Sequence, residues 1–384
     1  MTTTTEAPIT TTDDLHNAAD QLGPFLRERA SDIEAARTLP PDVVDALRQA
    51  GCLHALLPTS HGGVGADLVD ALGAIERLAR AEPSAAWLAM ISSAAWVDVA
   101  GVSRDTFDSL VGRDQTVFGV FSPSGTAEAV DGGYRVSGRW PFASGCELAT
   151  WIYGNCLDQS GDEPTIRTVV FGADELEIED TWHVLGLRGT GSHHIRADDI
   201  VVPAERTCTD DDPRAIDTPI LRIPPPSLIA LGVATVALGA ARGALDELRG
   251  VAGERTPLLA SNPLAGHPLY QRDLAYADTE LRAAQDLIRE RAEDLWSTAS
   301  AGEPITLDQR TRTRAAAVWV AERALDATRQ AFRAGGGSAV YDTSLLQRRL
   351  RDVETIGQHF LLRPDTLVTA GRAMSGQELD VPVF

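Results

Sequence analysis

The sequence predicts a mainly α protein in which a small β domain sits between two helical blocks, and three observations carry that reading. Alanine and leucine recur at three- and four-residue spacings from Leu15 to about Arg113. Short β-branched runs broken by Gly and Asp turns fill Thr116 to about Pro203. Long helical periodicity returns after Asp210–Pro226, a linker dense in aspartate and proline. The expected division is a disordered tail over 1–14, an N-terminal helical domain over 15–115, a middle β domain over 116–225 and a C-terminal helical bundle over 226–384.

Each element has a local reason. The Thr-rich stretch Met1–Asp14 has neither a basic nor an apolar segment, so it reads as a floppy tail and not as a signal peptide. The clearest early helix opens on Pro40 and Pro41, carries Val43, Val44, Leu47 and Ala50, and stops at Gly51. A tight loop over Leu57–Gly65 separates it from a helix through Leu68, Leu72, Ile75 and Leu78. Strands are expected at Val117–Phe121, Ala127–Val130, Tyr134–Ser137, Trp151–Leu157, Thr165–Phe171 and Ile195–Val202. With no helices between them, an antiparallel, barrel-like domain is expected rather than a doubly wound parallel sheet. No dinucleotide-binding glycine fingerprint is present. The last helices begin near Ser227, Pro268 and Thr306, where Thr306 and Gln309 form a capping box. Ser227–Gly250 is alanine and glycine almost all round, which suits close approach in a bundle core or at a subunit interface.

Composition narrows the function classes. A chain of 384 residues, 43% hydrophobic and 23% charged, is long enough for two or three globular domains. Its net charge of -21 opposes nucleic acid or an anionic membrane as partner, while leaving room for a small phosphate-bearing cofactor. Cys52, Cys146, Cys156 and Cys208 are scattered without CxxC spacing, which fits a reducing cytoplasm and no disulfide framework. No His, Asp and Glu spacing suggests a metal site. The apolar run Leu228–Ala241 is too short to span a bilayer and reads as a buried helix.

Three segments carry chemistry. Asp131–Gly145 ends in Trp140-Pro141-Phe142-Ala143-Ser144-Gly145, where aromatic walls, a hydroxyl and backbone N–H groups suit a flat heterocycle, or else close a hairpin with small residues. Thr181–Ser192 sets Trp182 and Arg188 in a glycine-rich loop before Thr190 and Ser192. It reads as a cofactor-contacting loop or as a β-turn whose arginine caps carbonyls. His193 and His194 begin a strand and point to opposite faces, so both are read as structural or surface residues. Gly335, Gly336 and Gly337 end a long helix as a C-cap or a contact turn.

Taken in order, these segments and Leu39–Val44, Pro58–Gly65 and Val201–Pro203 resemble the acyl-CoA dehydrogenase superfamily along nearly the whole chain. The Trp140–Gly145 version is similar to that of two-component flavin-dependent monooxygenases. The resemblance implies that Trp140, Phe142, Ser144, Gly145, Trp182, Arg188, Thr190 and Ser192 contact flavin, with Ser144 the donor near N5. It implies equally that Gly335–Gly337 meets the flavin of a neighbouring subunit in a dimer or tetramer. Phe360 stands where most dehydrogenases of the family place a catalytic glutamate, and the alternative helix, Ile229–Ala241, has no acid. His359 matches by spacing the histidine that the oxygenase branch sets beside flavin C4a, and it and Ser144 are the candidate catalytic residues. Ala95 replaces a second active-site histidine that often follows the tryptophan matching Trp87, and Ala143 replaces a frequent serine, which speaks against ordinary phenol hydroxylation.

The expected function is therefore a monooxygenase. Reduced FMN or FAD from a separate flavin reductase would react with O2 to a C4a-(hydro)peroxide and oxygenate a small organic substrate. A dehydrogenase that keeps FAD bound and a silent acyl-binding relative are the alternatives.

Overall fold

The computed structural model describes residues 12–161, 163–258 and 260–379. Most of the tail expected over 1–14 lies outside them, and helix α1 (Thr12–Ala36) already includes its last residues. Four helices follow before the sheet: α2 (Pro41–Gln49), α3 (Leu68–Ala81), α4 (Pro83–Ala95) and α5 (Arg104–Leu110). Both α3 and α4 are capped by acids, Asp67 accepting from Asp70 N at 2.8 Å and Glu82 from Ser84 N at 3.1 Å, each such cap being worth about 1 kcal/mol. Helices α6 (Pro225–Ala252), α7 (Pro268–Ser300), α8 (Leu307–Gly335), α9 (Leu345–Ile356) and α10 (Asp365–Met374) complete the chain. The Thr306–Gln309 capping box at the start of α8 is present in both directions.

One continuous core joins the two helical blocks, with α6 at its centre against α3, α4, α8 and α9. The alanine and glycine around α6 serve this packing. A Cβ on Gly239 would lie 2.4 Å from the Glu76 carbonyl on α3, so the backbones meet where no side chain fits. By length and composition α6 is apolar enough to cross a membrane, yet 89% of its most apolar window is buried against these neighbours.

The β domain has its own core. Its strands are β1 (Val117–Val130), β2 (Gly133–Ala143), β3 (Trp151–Asp158), β4 (Thr165–Gly172), β5 (Glu177–Glu179), β6 (His193–Pro203) and β7 (Thr207–Cys208). They form one sheet in the order β5-β6-β2-β1-β3-β4-β7. The antiparallel expectation is corrected here, because β1 and β3 run parallel. Strand β6 occupies the free edge of β2, so the chain crosses to the other edge of β1 and restarts beside its first residue, Val117 opposite Trp151. The two strands expected over Val117–Phe121 and Ala127–Val130 are one strand, interrupted by a register shift between Val120 and Gly125. That bulge carries Phe121, Ser122 and Pro123 out of the ladder to the wall of a cavity.

Candidate functional site

The cavity has a volume of about 640 Å³ and lies where the β domain meets α4, the start of α6 and the turn after α9. Four features build it.

The first is the end of β2. Pro141 cannot donate to the ladder, and the register slips between Trp140 and Ala143 against β6. Phe142 takes φ 64°, a left-handed conformation that costs a non-glycine residue about 1–2 kcal/mol. This bulge turns Phe142 outward, 67% exposed, edge-on to Trp182 at 6.3 Å. Ser144 enters the cavity while Ala143 faces the β core. Trp140 was expected at the cofactor, and that expectation is corrected. It lies on the inward face of β2, fully buried, and donates from Nε1 to the Asn155 carbonyl at 2.8 Å. The strand alternation fixes this face, and Gly125 opposite has room for the ring only because it lacks a Cβ, which would sit 2.3 Å away.

The second feature is a chain of hydroxyls. Thr190 Oγ1 donates to the Leu187 carbonyl at 2.8 Å, Thr190 and Ser192 hydroxyls are 2.7 Å apart, Ser192 and Ser144 are 2.8 Å apart, and Trp87 Nε1 donates to Ser144 Oγ at 3.0 Å. Each hydroxyl has one proton. Since that of Thr190 goes to Leu187, those of Ser192 and Ser144 must point the same way along the chain. Ser144 is then left with a free lone pair on the cavity side. In this arrangement it accepts a hydrogen bond, where the sequence reading made it a donor.

His359 forms the third feature. It caps the short turn Phe360–Leu362 by accepting at Nδ1 from Leu361 N at 3.4 Å, and its ring meets Trp87 edge-on at 5.7 Å. Burial and the nearby Arg314 charge push its pKa down to about 4, so the ring is neutral at physiological pH. With Nδ1 accepting, the proton resides on Nε2, and His359 offers a donor rather than a free base.

The fourth is a clamp beneath the loop. Asp352 on α9 accepts from Leu187 N at 2.7 Å, and Leu187, at φ 52°, gives its carbonyl to both Thr190 Oγ1 and Trp182 Nε1. Arg349 donates to the Ala79, Arg80 and Ala81 carbonyls that end α3. It also lies close enough to Glu82 and Asp352 for attraction between opposite charges. Burial raises the pKa of both acids, and Glu82 raises that of Asp352 further.

Of the residues expected at the site, Phe142, Ser144, Trp182, Thr190, Ser192 and His359 line this cavity. Gly145 stands behind it, its N–H on the Thr190 carbonyl at 2.9 Å. Arg188 points away, Nε donating to the Val184 carbonyl at 3.0 Å. Gly335, Gly336 and Gly337 lie at the far end of α8, where Arg255 donates to the Gly335 carbonyl. His193 is structural, accepting from Thr181 N and Trp182 N. The sequence reading passed over Asp98 and Tyr153, both of which line the cavity. The signal was available, since Asp98 is the one acid between Pro83 and Val102.

The acyl-CoA dehydrogenase N-terminal domain family matches residues 15–101 and the C-terminal domain family residues 231–364. The indole-3-acetate monooxygenase of Pseudomonas putida is 32% identical over 356 residues, spanning 92% of this chain and 91% of that protein. The oxygenase component of the FADH(2)-dependent resorcinol hydroxylase of Rhizobium sp. (strain MTP-10005) is 30% identical, covering 92% of each. The crystal structure of 3-HSA hydroxylase from Rhodococcus sp. RHA1 superposes with a TM-score of 0.88 at 26% identity, over 97% of this chain and 99% of that one. The chain belongs to the flavin-dependent monooxygenases of the acyl-CoA dehydrogenase superfamily. The cavity agrees with that membership: a flavin ring has apolar faces and a polar edge, and the Phe142 and Trp182 rings with the hydroxyl chain match both.

Proposed function

We infer that this chain is the oxygenase half of a two-component system, taking reduced FMN or FAD from a separate reductase and oxygenating a small, largely apolar aromatic molecule. One observation carries the reading: a histidine kept neutral stands edge-on to Trp87, whose N–H ends on the same serine that closes the hydroxyl chain. Phe142, Ser144, Trp182, Thr190 and Ser192 would hold the flavin. When bound, reduced flavin supplies the two electrons that divide O2 between product and water. Ser144 would accept a hydrogen bond from the bound flavin through its free lone pair, and His359 would offer its Nε2–H as a donor into the same cavity. Trp87, Ile91, Phe121, Ile229 and Phe360 exclude water, which limits wasteful release of hydrogen peroxide. Phe360 supplies no base, so α,β-desaturation finds no proton acceptor at that position.

The test is turnover under 18O2 with enzymatically reduced FMN or FAD and a panel of small aromatics. The expected result is one labelled oxygen in product and one in water per flavin oxidised. Hydrogen peroxide as the sole product, across the panel and with both flavins, counters the reading.

The assembly and location belong to the same proposal. A homo-oligomer, dimer or tetramer, would cover Val340 and Tyr341, which are 64% and 67% exposed just after the Gly335–Gly337 turn. Four buried free cysteines suit the cytoplasm. Light scattering on the purified chain is expected to give an integral multiple of 41.0 kDa greater than one, and a monomer at micromolar concentration contradicts it.

A further inference from the structure

Trp87, Ile91, Ala95 and Asp98 line the cavity at spacings of four, four and three, one face of α4 continued into the turns that follow it. From Trp87 to Ala95 this face runs about 12 Å, at 1.5 Å per residue. Trp87 thus marks the end with His359 and Ser144, and Asp98 lies beyond Ala95, away from it. Apolar side chains such as Ile91, Val120 and Phe121 occupy the walls between. Among the described residues that line the cavity, Asp98 is the one carboxylate, and no arginine or lysine joins it.

Its partner is built in. Tyr153 O–H donates to Asp98 Oδ2 at 2.9 Å. Tyr153 reaches across because Gly119, its register partner on β1, has no side chain; a Cβ there would sit 2.2 Å from the tyrosine ring. Among the described residues no second side chain donates to Asp98, so Oδ1 is available to a ligand. Burial pushes the Asp98 carboxyl up to about 7, Asp210 adds to the rise and Arg214 opposes it. Cys208, on the segment packed behind, reaches the Asp98 carbonyl with its thiol and is itself raised by the Asp98 charge.

We propose that Asp98, held by Tyr153, is the specificity-determining residue of this cavity, accepting the N–H or O–H of an uncharged or cationic aromatic substrate and turning away substrates that end in a carboxylate. The inference rests on the monooxygenase reading for the identity of the cavity and extends it to the substrate class. A fixed acceptor in an apolar cavity rejects molecules that lack the donor, because entry strips the acid of water without replacement. Above about pH 7, where the Asp98 carboxyl is ionised, it rejects anions more strongly, since two like charges meet with little screening.

Four probes of one ring size separate donor from charge: tryptamine, indole, benzothiophene and indole-3-acetate. Their affinities are measured by equilibrium dialysis against the whole protein holding reduced flavin, without oxygen and therefore without turnover. At pH 8, where Asp98 is ionised, tryptamine is expected to bind about 100-fold more tightly than indole-3-acetate, the carboxylate attracting one and repelling the other. Indole should bind about tenfold more tightly than benzothiophene, the worth of one hydrogen bond. Asp98→Asn keeps the size and the Tyr153 contact, and it should bring the tryptamine to indole-3-acetate ratio down about tenfold or more. A wild-type ratio near one overturns the assignment, as does failure of all four to bind. So does an Asp98→Asn variant that weakens every probe equally, which is what a purely structural Asp98–Tyr153 pair would do. Failure of the 18O2 experiment instead removes the monooxygenase reading, and because the ranking is read without oxygen the two failures are distinguishable.

Discussion

The hydroxyl chain on the cavity wall and the ion cluster beneath it are only a few ångströms of backbone apart, joined through Leu187, and they are built from opposite materials. Trp87, Ser144, Ser192 and Thr190 are neutral donors and acceptors, each satisfied by the next. Glu82, Arg349 and Asp352 are ionisable groups sealed from solvent. The difference follows from what each does. A reacting cavity needs groups that can take or give a hydrogen bond without a net charge to solvate. A clamp joining α3, α4, α9 and the loop before β6 needs strength, and a buried charge provides it as long as its partners remain.

Breaking the clamp should have the largest effect. Arg349→Met removes a buried guanidinium that ends α3 and attracts both buried acids, and should cost about 3–5 kcal/mol by urea denaturation. Flavin affinity should fall with it, because Leu187 loses the anchor that sets Trp182 and Thr190. A loss under about 1 kcal/mol would mean the cluster is incidental, and the contrast drawn above would go.

The neutral side should respond in rate and hardly in stability. His359→Ala is expected to lower oxygenated product about 100-fold or more while peroxide rises, as loss of a positioned proton donor implies. Ser144→Ala is expected to lower product about tenfold, leaving Trp87 Nε1 without its acceptor. Coupling is read as product per flavin oxidised, with urea curves run in parallel. If either variant unfolds as readily as Arg349→Met, the hydroxyl chain is part of the scaffold rather than of the chemistry.

The two tryptophans sharpen the same contrast at smaller scale, and they show what was legible beforehand. Trp140 and Trp182 sit in adjacent motifs, and both read as flavin neighbours. Alternation along β2 buries one in the β core, whereas the loop before β6 delivers the other to the cavity. Trp140→Phe should cost about 2 kcal/mol of stability, from lost volume and the lost Asn155 bond, with flavin affinity intact. Trp182→Phe should show the reverse, a weakened flavin site at about 1 kcal/mol or less. Contiguous motifs, the helix caps and the order of the domains were readable because local spacing dictates them. Ser144 was found, and the bulge at Pro141 brings it into the cavity while its neighbour Ala143 faces the β core. The parallel pairing of β1 with β3 was not readable, since nothing local says which edge a strand will join. Asp98 and Tyr153 were missed for that reason: the turns after α4 and strand β3 meet only through the topology, and the lone acid in an apolar run was the one hint.

The smallest effect expected of the wild type itself concerns pH, where two cavity groups pull in opposite directions. The Asp98 carboxyl rises from 3.8 to about 7 on folding, so between those values the folded state binds more protons than the unfolded chain, and stability falls as pH rises. His359 drops from 6.5 to about 4, so across that window the folded state binds fewer protons, and stability rises with pH. In the wild type the two slopes largely offset one another between pH 4 and 6.5. Asp98→Asn removes the falling contribution, so its stability relative to wild type should climb as pH goes from about 4 to about 7. His359→Ala removes the rising one, so its relative stability should decline from about 4 to about 6.5. Taking each variant against wild type cancels the titration of Glu82 and Asp352, which all three proteins share. Thermal denaturation at half-unit pH steps reads both slopes. Three parallel curves would place both groups in water-like surroundings, and the cavity would then lose the dry character that shifts them.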